Sequence, residues 1–280
     1  MTKIDIFSGF LGAGKTTLIK KLIAEAYAGE RLVLIENEFG EIGIDGGFLQ
    51  DAGFEVSEMN SGCICCSLVG DFSKALAKVL EEYRPDRILI EPSGVGKLSD
   101  VIRAVQGVEG EEILLNGFTT VADVNKCKMY LKNFGEFFGD QIRNAGCIVL
   151  SHTQSASEKK IEETVALLRE QNPTAVIVTT PWDVLDGKQL LLAMERRDTI
   201  EEELARLAAE PAHPHHHDHE CDDPECECHH HEHGHHHHHH ADEVFVSWGV
   251  ETTRAYELSE MERLLAALDD EEKYGTVLRA

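Results

Sequence analysis

The sequence predicts an α/β fold: a doubly wound, mostly parallel sheet, then a His-rich segment without regular structure, then the start of a small α+β domain. Three observations predict it. Gly9-Phe10-Leu11-Gly12-Ala13-Gly14-Lys15-Thr16-Thr17 matches G-x-x-x-x-G-K-[ST] and stands between a predicted strand and a predicted helix. Apolar runs of strand length then alternate with stretches of helical periodicity as far as about Glu210. Beyond that, 15 of the 16 histidines lie between His213 and His240, with Cys221, Cys226 and Cys228 interleaved and no periodic apolar residues.

Composition narrows the function. The 280 residues fit one large or two small domains, and 42% hydrophobic residues can build a sizeable core. A net charge of −25 with no basic stripe argues against a nucleic-acid partner. No apolar run approaches the roughly 18 residues needed to span a bilayer, so no membrane partner is expected. A strand and the Gly-rich loop begin within the first ten residues, which leaves no room for a signal peptide. A cytoplasmic location is therefore expected, where the eight cysteines are thiols and their clusters suggest metal or redox chemistry rather than structural disulfides.

The chain begins with Lys3–Ser8 as a short buried strand, and Thr17–Ala28 reads as a helix with Leu18, Leu22 and Ile23 on one face. The loop between them is the phosphate-binding loop of P-loop NTPases. Its glycines turn backbone N–H groups toward phosphate, and the helix N-terminus adds partial positive charge. Gly9, Gly12, Ala13, Gly14, Lys15, Thr16 and Thr17 are the candidate nucleotide-binding residues; Lys15 would reach the β/γ-phosphates and the Thr16 hydroxyl would bind Mg²⁺. An incidental Gly-rich turn would lack this strand–loop–helix context.

Arg31–Glu36 is a second strand, followed by a polar, Gly-rich loop with carboxylates at Glu36, Glu38, Glu41 and Asp45, in the place of a GTPase switch I. Phe54–Met59 is a third strand. After it, Cys63, Cys65 and Cys66 fall within four residues, where thiolates would repel unless a cation joined them. Leu68–Tyr83 is a helix with Leu76, Val79, Leu80 and Tyr83 as its apolar face, ended by Pro85. Asp86–Glu91 is a strand that delivers Glu91 to its C-terminal end, and Glu91-Pro92-Ser93-Gly94 fits a Walker B acid followed by a glycine able to approach the γ-phosphate.

Further on, Val101–Val105 reads as helix, Ile113–Asp123 as strand, two helical stretches follow, and Cys147–Leu150 is a strand. Ser157 caps a helix with Ile161, Val165 and Leu168 facing the core, Ala175–Thr179 is a strand, and helices continue from about Gly187 to Glu210, with Thr199 and Glu202 as a capping box. Val244–Val250 is a strand, Ser259 and Glu262 form a second capping box ahead of Met261, Leu264, Leu265 and Leu268, and Thr276–Arg279 is a last strand. The expected organisation is residues 1–210, a His/Cys-rich linker at 211–243 that is disordered without ligand, and 244–280 as a truncated second domain.

GFLGAGKTT, ENEFGEIGID, NSGCICCS and EPSG, in this order, resemble the CobW-type P-loop GTPases, metal chaperones related to the HypB and UreG nickel-insertion GTPases. The resemblance covers residues 1 to about 180 and resumes near Val244. It implies GTP with Mg²⁺ at the P-loop, Glu91 as the acid replacing the usual Asp, and Zn²⁺ (or Co²⁺ or Ni²⁺) on Cys63, Cys65 and Cys66 with the switch acids Glu36 and Glu41. Its catalytic set would be Lys15, Thr16 and Glu91, and its partners GTP and GDP, a transition metal and a client metalloprotein, with a homodimer as candidate assembly. The base-recognition motif N-K-x-D is replaced by Ser151-His152-Thr153-Gln154. Gln154 offers one carbonyl where a carboxylate would accept twice, which costs guanine selectivity on the order of 1–3 kcal/mol, and His152 could stack on the base.

The function expected is that of a GTP-hydrolysing metallochaperone whose nucleotide state controls metal affinity. No residue stands out as a catalytic base or arginine finger, so turnover should be slow. The alternatives are a GTPase helper of cobalt insertion in cobalamin biosynthesis and a passive metal store with a vestigial nucleotide site.

Overall fold

A computed structural model of the chain describes residues 1–36, 55–56, 69–108, 113–195, 204–205, 207 and 257–268. Seven strands form one sheet: β1 (Thr2–Ser8), β2 (Leu32–Glu36), β3 (Glu55–Val56), β4 (Arg87–Glu91), β5 (Ile113–Asp123), β6 (Cys147–Ser151) and β7 (Val176–Val178). Their order is β3-β2-β4-β1-β5-β6-β7, and every pair is parallel. The expected doubly wound α/β fold is present. Parallel strands require crossovers, and the helices supply them: α1 (Lys15–Glu25), α2 (Val69–Tyr83), α3 (Leu98–Gln106), α4 (Cys127–Asn133), α5 (Phe137–Arg143), α6 (Glu158–Gln171) and α7 (Gly187–Met194), with α8 (Leu258–Ala267) beyond the sheet in sequence.

Strand alternation splits the core in two. Ile4, Ile6, Ile88, Ile90, Phe118, Ile148 and Leu150 face a layer that holds Leu76, Val101, Phe138 and Leu168 of α2, α3, α5 and α6. Phe7, Leu34, Leu89, Val121 and Val149 face the other side, where Leu18 and Leu22 of α1 and Leu190 and Met194 of α7 pack. Among the described residues, no helix is long and apolar enough to cross a membrane.

Several details differ from expectation. Helix α1 starts at Lys15, inside the motif, because Gly14 in a left-handed conformation (φ 101°) is its N-cap. Tyr83 is 40% exposed, since the core side of α2 is completed by Leu76, Val79 and Leu80. Helix α8 starts at Leu258, with Glu257 at its N-cap position and no side-chain cap, so Ser259 is inside the helix and not its cap. A capping box does occur at Asp186 and Gln189, at the start of α7. Ser157 caps α6 as expected, accepting from the Lys160 N–H. The switch loop, the Cys63–Cys66 loop, the 211–243 linker, the Thr199–Glu202 box and the strands expected at Val244–Val250 and Thr276–Arg279 lie outside the described residues.

A buried ion cluster, not anticipated from the sequence, spans the side of the sheet under α1 and α7. Arg87, 1% exposed, donates to Asp5, to Glu30 (2.6 Å) and to Glu195 (2.9 Å), and stacks over the Tyr27 ring at 4.5 Å. Asn116 donates to Asp5 (2.8 Å) and Glu195 (2.7 Å). Burial acts to raise the Asp5 carboxyl above the usual range, with the Arg87 charge opposing it. For Arg87 burial acts downward, but its carboxylate partners outweigh it and keep the guanidinium charged.

Candidate functional site

In a parallel sheet all strands end at one edge, and ligands bind in the crevice beyond it. Here β1 runs into the Gly9–Gly14 loop, while Glu36, Glu91, Asp123 and Ser151 end β2, β4, β5 and β6. The loop is seated by close contact. Gly9 has φ 143°, and a Cβ there would lie 2.4 Å from the Val121 carbonyl oxygen, so only glycine lets β5 approach. Phe10 is fully buried beneath the loop, with its ring 4.4 Å from Tyr130, 5.3 Å from Phe134 and 6.0 Å from Phe138. Its aromatic anchor was not legible in the motif, where position 10 is unspecified.

Lys15, Thr16 and Glu91 are brought together. Lys15 is buried, its Nζ donates to the Gly9 carbonyl at 3.1 Å, and it lies 4.0 Å from Glu91 Oε1. Thr16 Oγ1 donates to Glu91 Oε1 and Oε2 at 3.0 and 3.1 Å. Thr17 and Gly12 are exposed on the rim, and Ala13 is buried below it. Gly94 sits against the loop from the β4 side: a Cβ on it would be 2.8 Å from Leu11 N.

The segment Ser151–Gln154 leaves the same edge. His152 is in the left-handed region (φ 58°) and exposed, with Nε2 4.0 Å from Asp123 Oδ2; Gln154 is exposed on the following 3₁₀ turn. Ser8 Oγ, Ser151 Oγ and Thr153 Oγ1 are buried and find no partner among the described residues. Trp182, passed over in the sequence, connects this segment to the loop. Its Nε1 donates to the Leu150 carbonyl at 3.0 Å, and its ring lies 3.2 Å from the point where a Gly14 Cβ would be. The signal available was its position, four residues past β7, beside the strand that carries Ser151.

Of the candidate metal ligands, Glu36 ends β2 beside Glu91 in register. Cys63, Cys65, Cys66 and Glu41 lie outside the described residues. Cys127 and Cys147 are buried thiols, each pushed up to about 12 by burial. Among the described residues no group of three His, Cys, Asp or Glu is placed to hold a metal ion.

A family model described as "CobW/HypB/UreG, nucleotide-binding domain" matches residues 3–179. The chain belongs to the CobW/HypB/UreG family. Residues 3–179 are its nucleotide-binding domain and run from β1 to β7. Relatives within the family include the zinc chaperone CobW of Sinorhizobium sp, 34% identical over 61% of this chain and 57% of the relative. The zinc chaperone YeiR of Escherichia coli (strain K12) is 31% identical over 76% of this chain and 63% of the relative. This CobW/HypB/UreG chain thus matches 57% and 63% of the lengths of those two curated relatives. A solved structure, the Zn(II)-bound YjiA GTPase from E. coli, aligns with a TM-score of 0.49 at 23% identity, over 67% of this chain and 62% of that one.

Proposed function

We propose that this protein is a GTP-hydrolysing metallochaperone. It binds GTP at the Gly9–Thr17 loop, carries a transition metal at Cys63, Cys65 and Cys66, and passes it to a client protein. The observation that carries the reading is the convergence of Lys15, Thr16 and Glu91 at the end of β1 and β4, in a chain of this family. Relatives named as zinc chaperones make Zn²⁺ the favoured cargo.

The hydroxyl of Thr16 and the carboxylate of Glu91 are hard oxygen donors on one spot, a set that fits Mg²⁺. Those two residues would hold the ion, which when bound neutralises charge on the β- and γ-phosphates. The remaining work falls to the chain. The α1 N-terminus turns the N–H groups of its first turn toward phosphate. Lys15 exchanges the Gly9 carbonyl for phosphate oxygens and stabilises charge that grows toward the transition state. Gly94, without a side chain, lets the backbone after Glu91 close on the loop.

The base is assigned to the edge formed by Ser151, His152, Gln154 and Trp182. Gln154→Asp is expected to raise the preference for GTP over ATP by roughly tenfold, because a carboxylate accepts twice from guanine where the amide accepts once. Competition binding measures this; an unmoved ratio means the base is not read at position 154.

Metal and nucleotide share the segment between Glu36 and Cys66, which supplies Glu36 and Glu41 to a thiolate-rich Zn²⁺ shell and follows β2 directly. Linkage then makes each ligand change the other's affinity by one factor, of about 5–150-fold. The test compares Zn²⁺ affinity with GDP and with a non-hydrolysable GTP analogue, in the parent and in Cys65→Ser. Equal affinities in the two nucleotide states would remove the switch and leave a metal site beside a nucleotidase.

A further inference from the structure

Helix α5 grips the loop that follows Glu91. Gln141 is fully buried, and its Nε2 donates to the carbonyls of Gly94 (3.0 Å) and Gly96 (2.8 Å). Two carbonyl partners determine which way the amide faces, because Oε1 cannot donate to them; Oε1 itself has no partner among the described residues. One residue earlier, Asp140 accepts from the backbone N–H (3.1 Å) and the hydroxyl (2.8 Å) of Ser99, and Lys97 Nζ is 2.8 Å from Glu136. Thr120 Oγ1 donates to the Gln141 carbonyl at 2.7 Å, which ties α5 to β5. On its other side the same loop meets the phosphate loop, where a Cβ on Gly94 would be 2.8 Å from both Leu11 N and Leu11 Cδ2.

We propose that Gln141 is a positioning residue for the γ-phosphate. Its two hydrogen bonds hold Gly94 against Leu11, three residues after Glu91, in the place where a triphosphate extends beyond a diphosphate. The inference rests on the nucleotide-site reading above. Its physical basis is that one buried amide serves the carbonyls of both Gly94 and Gly96. A shift of the loop must exchange both bonds together, since a buried carbonyl left without a donor is costly. The loop is thereby restricted to discrete positions, and a ligand that contacts it can bias them. Asp140 and Glu136 extend the grip to Ser99 and Lys97 at the start of α3, so the position of Gly94 is transmitted to that helix.

The test uses the full chain and Gln141→Met, similar in length but unable to donate. Dissociation constants for GDP and for a non-hydrolysable GTP analogue, both with Mg²⁺, are measured alongside the melting temperature. GDP affinity is expected to stay within about twofold, while affinity for the analogue falls by about fivefold or more. Thr164→Val is the control: it deletes the buried hydrogen bond from Thr164 on α6 to the Val124 carbonyl, which involves neither Gln141 nor the Gly94 and Gly96 carbonyls, and should lower the melting temperature without moving the ratio of the two affinities. If Gln141→Met does not fold, Ser99→Ala loosens the same loop by removing one bond to Asp140 and should move the ratio in the same direction, by less. A ratio equal to the parent's in the folded variant overturns the proposal and leaves the nucleotide site standing. A parent that binds neither nucleotide overturns the site reading and the proposal with it.

Discussion

Lys15→Ala will leave a folded protein whose GTP hydrolysis is slower than the parent's by about a hundred- to a thousandfold, the usual cost of deleting one preorganised donor to a developing anionic transition state. The geometry gives the reason. The side chain is buried at the edge of the sheet, with Nζ held by the Gly9 carbonyl and set 4.0 Å from Glu91. It is thus confined to the mouth of the phosphate loop before any nucleotide arrives, and alanine leaves only the backbone N–H groups. The Zn²⁺ binding proposed for the Cys63–Cys66 segment should persist, because the lysine acts on phosphate. Single-turnover hydrolysis and Zn²⁺ titration on the same preparation check both halves. Parental turnover in the purified variant would remove the mechanism.

Arg87→Met is expected to destabilise the fold by about 3–5 kcal/mol, since removal of one partner strands buried charge. Against a typical total of about 5–15 kcal/mol, that is a large share. Asp5, Glu30 and Glu195 all receive bonds from this one guanidinium, and Asp5 is 2% exposed. The effect should depend on pH. Burial raises the Asp5 carboxyl above its ordinary value, and Arg87 is the principal opposing charge. A carboxyl with a raised folded pKa is stabilising while protonated, and that contribution is lost as pH rises through the folded value. Without Arg87 the folded value moves further up, so the variant should regain stability as pH falls from 7 toward the carboxylate range. Urea unfolding at about pH 7 and about pH 5.5 measures this. A midpoint equal to the parent's at both would show that the cluster contributes nothing to stability.

Much of the site was legible because it is contiguous. The phosphate loop, the strand that ends in Glu91 and the glycine three residues later are each a short run of sequence whose chemistry follows from residue type and spacing. The strands were legible for a similar reason: Leu32–Glu36, Arg87–Glu91 and Cys147–Ser151 are buried on both faces and read as largely unbroken apolar runs. Errors came where a local rule competed with packing. Tyr83 has the spacing of a core residue, yet at the last position of α2 it is 40% exposed, past the buried Leu76, Val79 and Leu80. Ser259 has the pattern of a cap, but the helix begins a residue earlier at Leu258, so the serine falls inside it.

Pattern within single segments therefore established the α/β class, the strand–helix alternation, and Lys15, Thr16 and Glu91 as candidates. Partners distant in sequence were decided by which strands lie side by side. Asp5 meets Arg87 because β1 pairs with β4, 82 positions away, and Gln141 meets Gly94 across 47 positions because α5 folds back over the loop after β4. Phe10 is unspecified by the motif, and its role as an anchor appears only when α4 and α5 bring Tyr130, Phe134 and Phe138 beneath it. Burial converts these residues from ordinary polar or aromatic side chains into determinants of the fold, at Asp5 and Arg87, or of the loops around the site, at Phe10 and Gln141, because a charge or carbonyl removed from water must find its partner inside the protein, and no local rule names that partner.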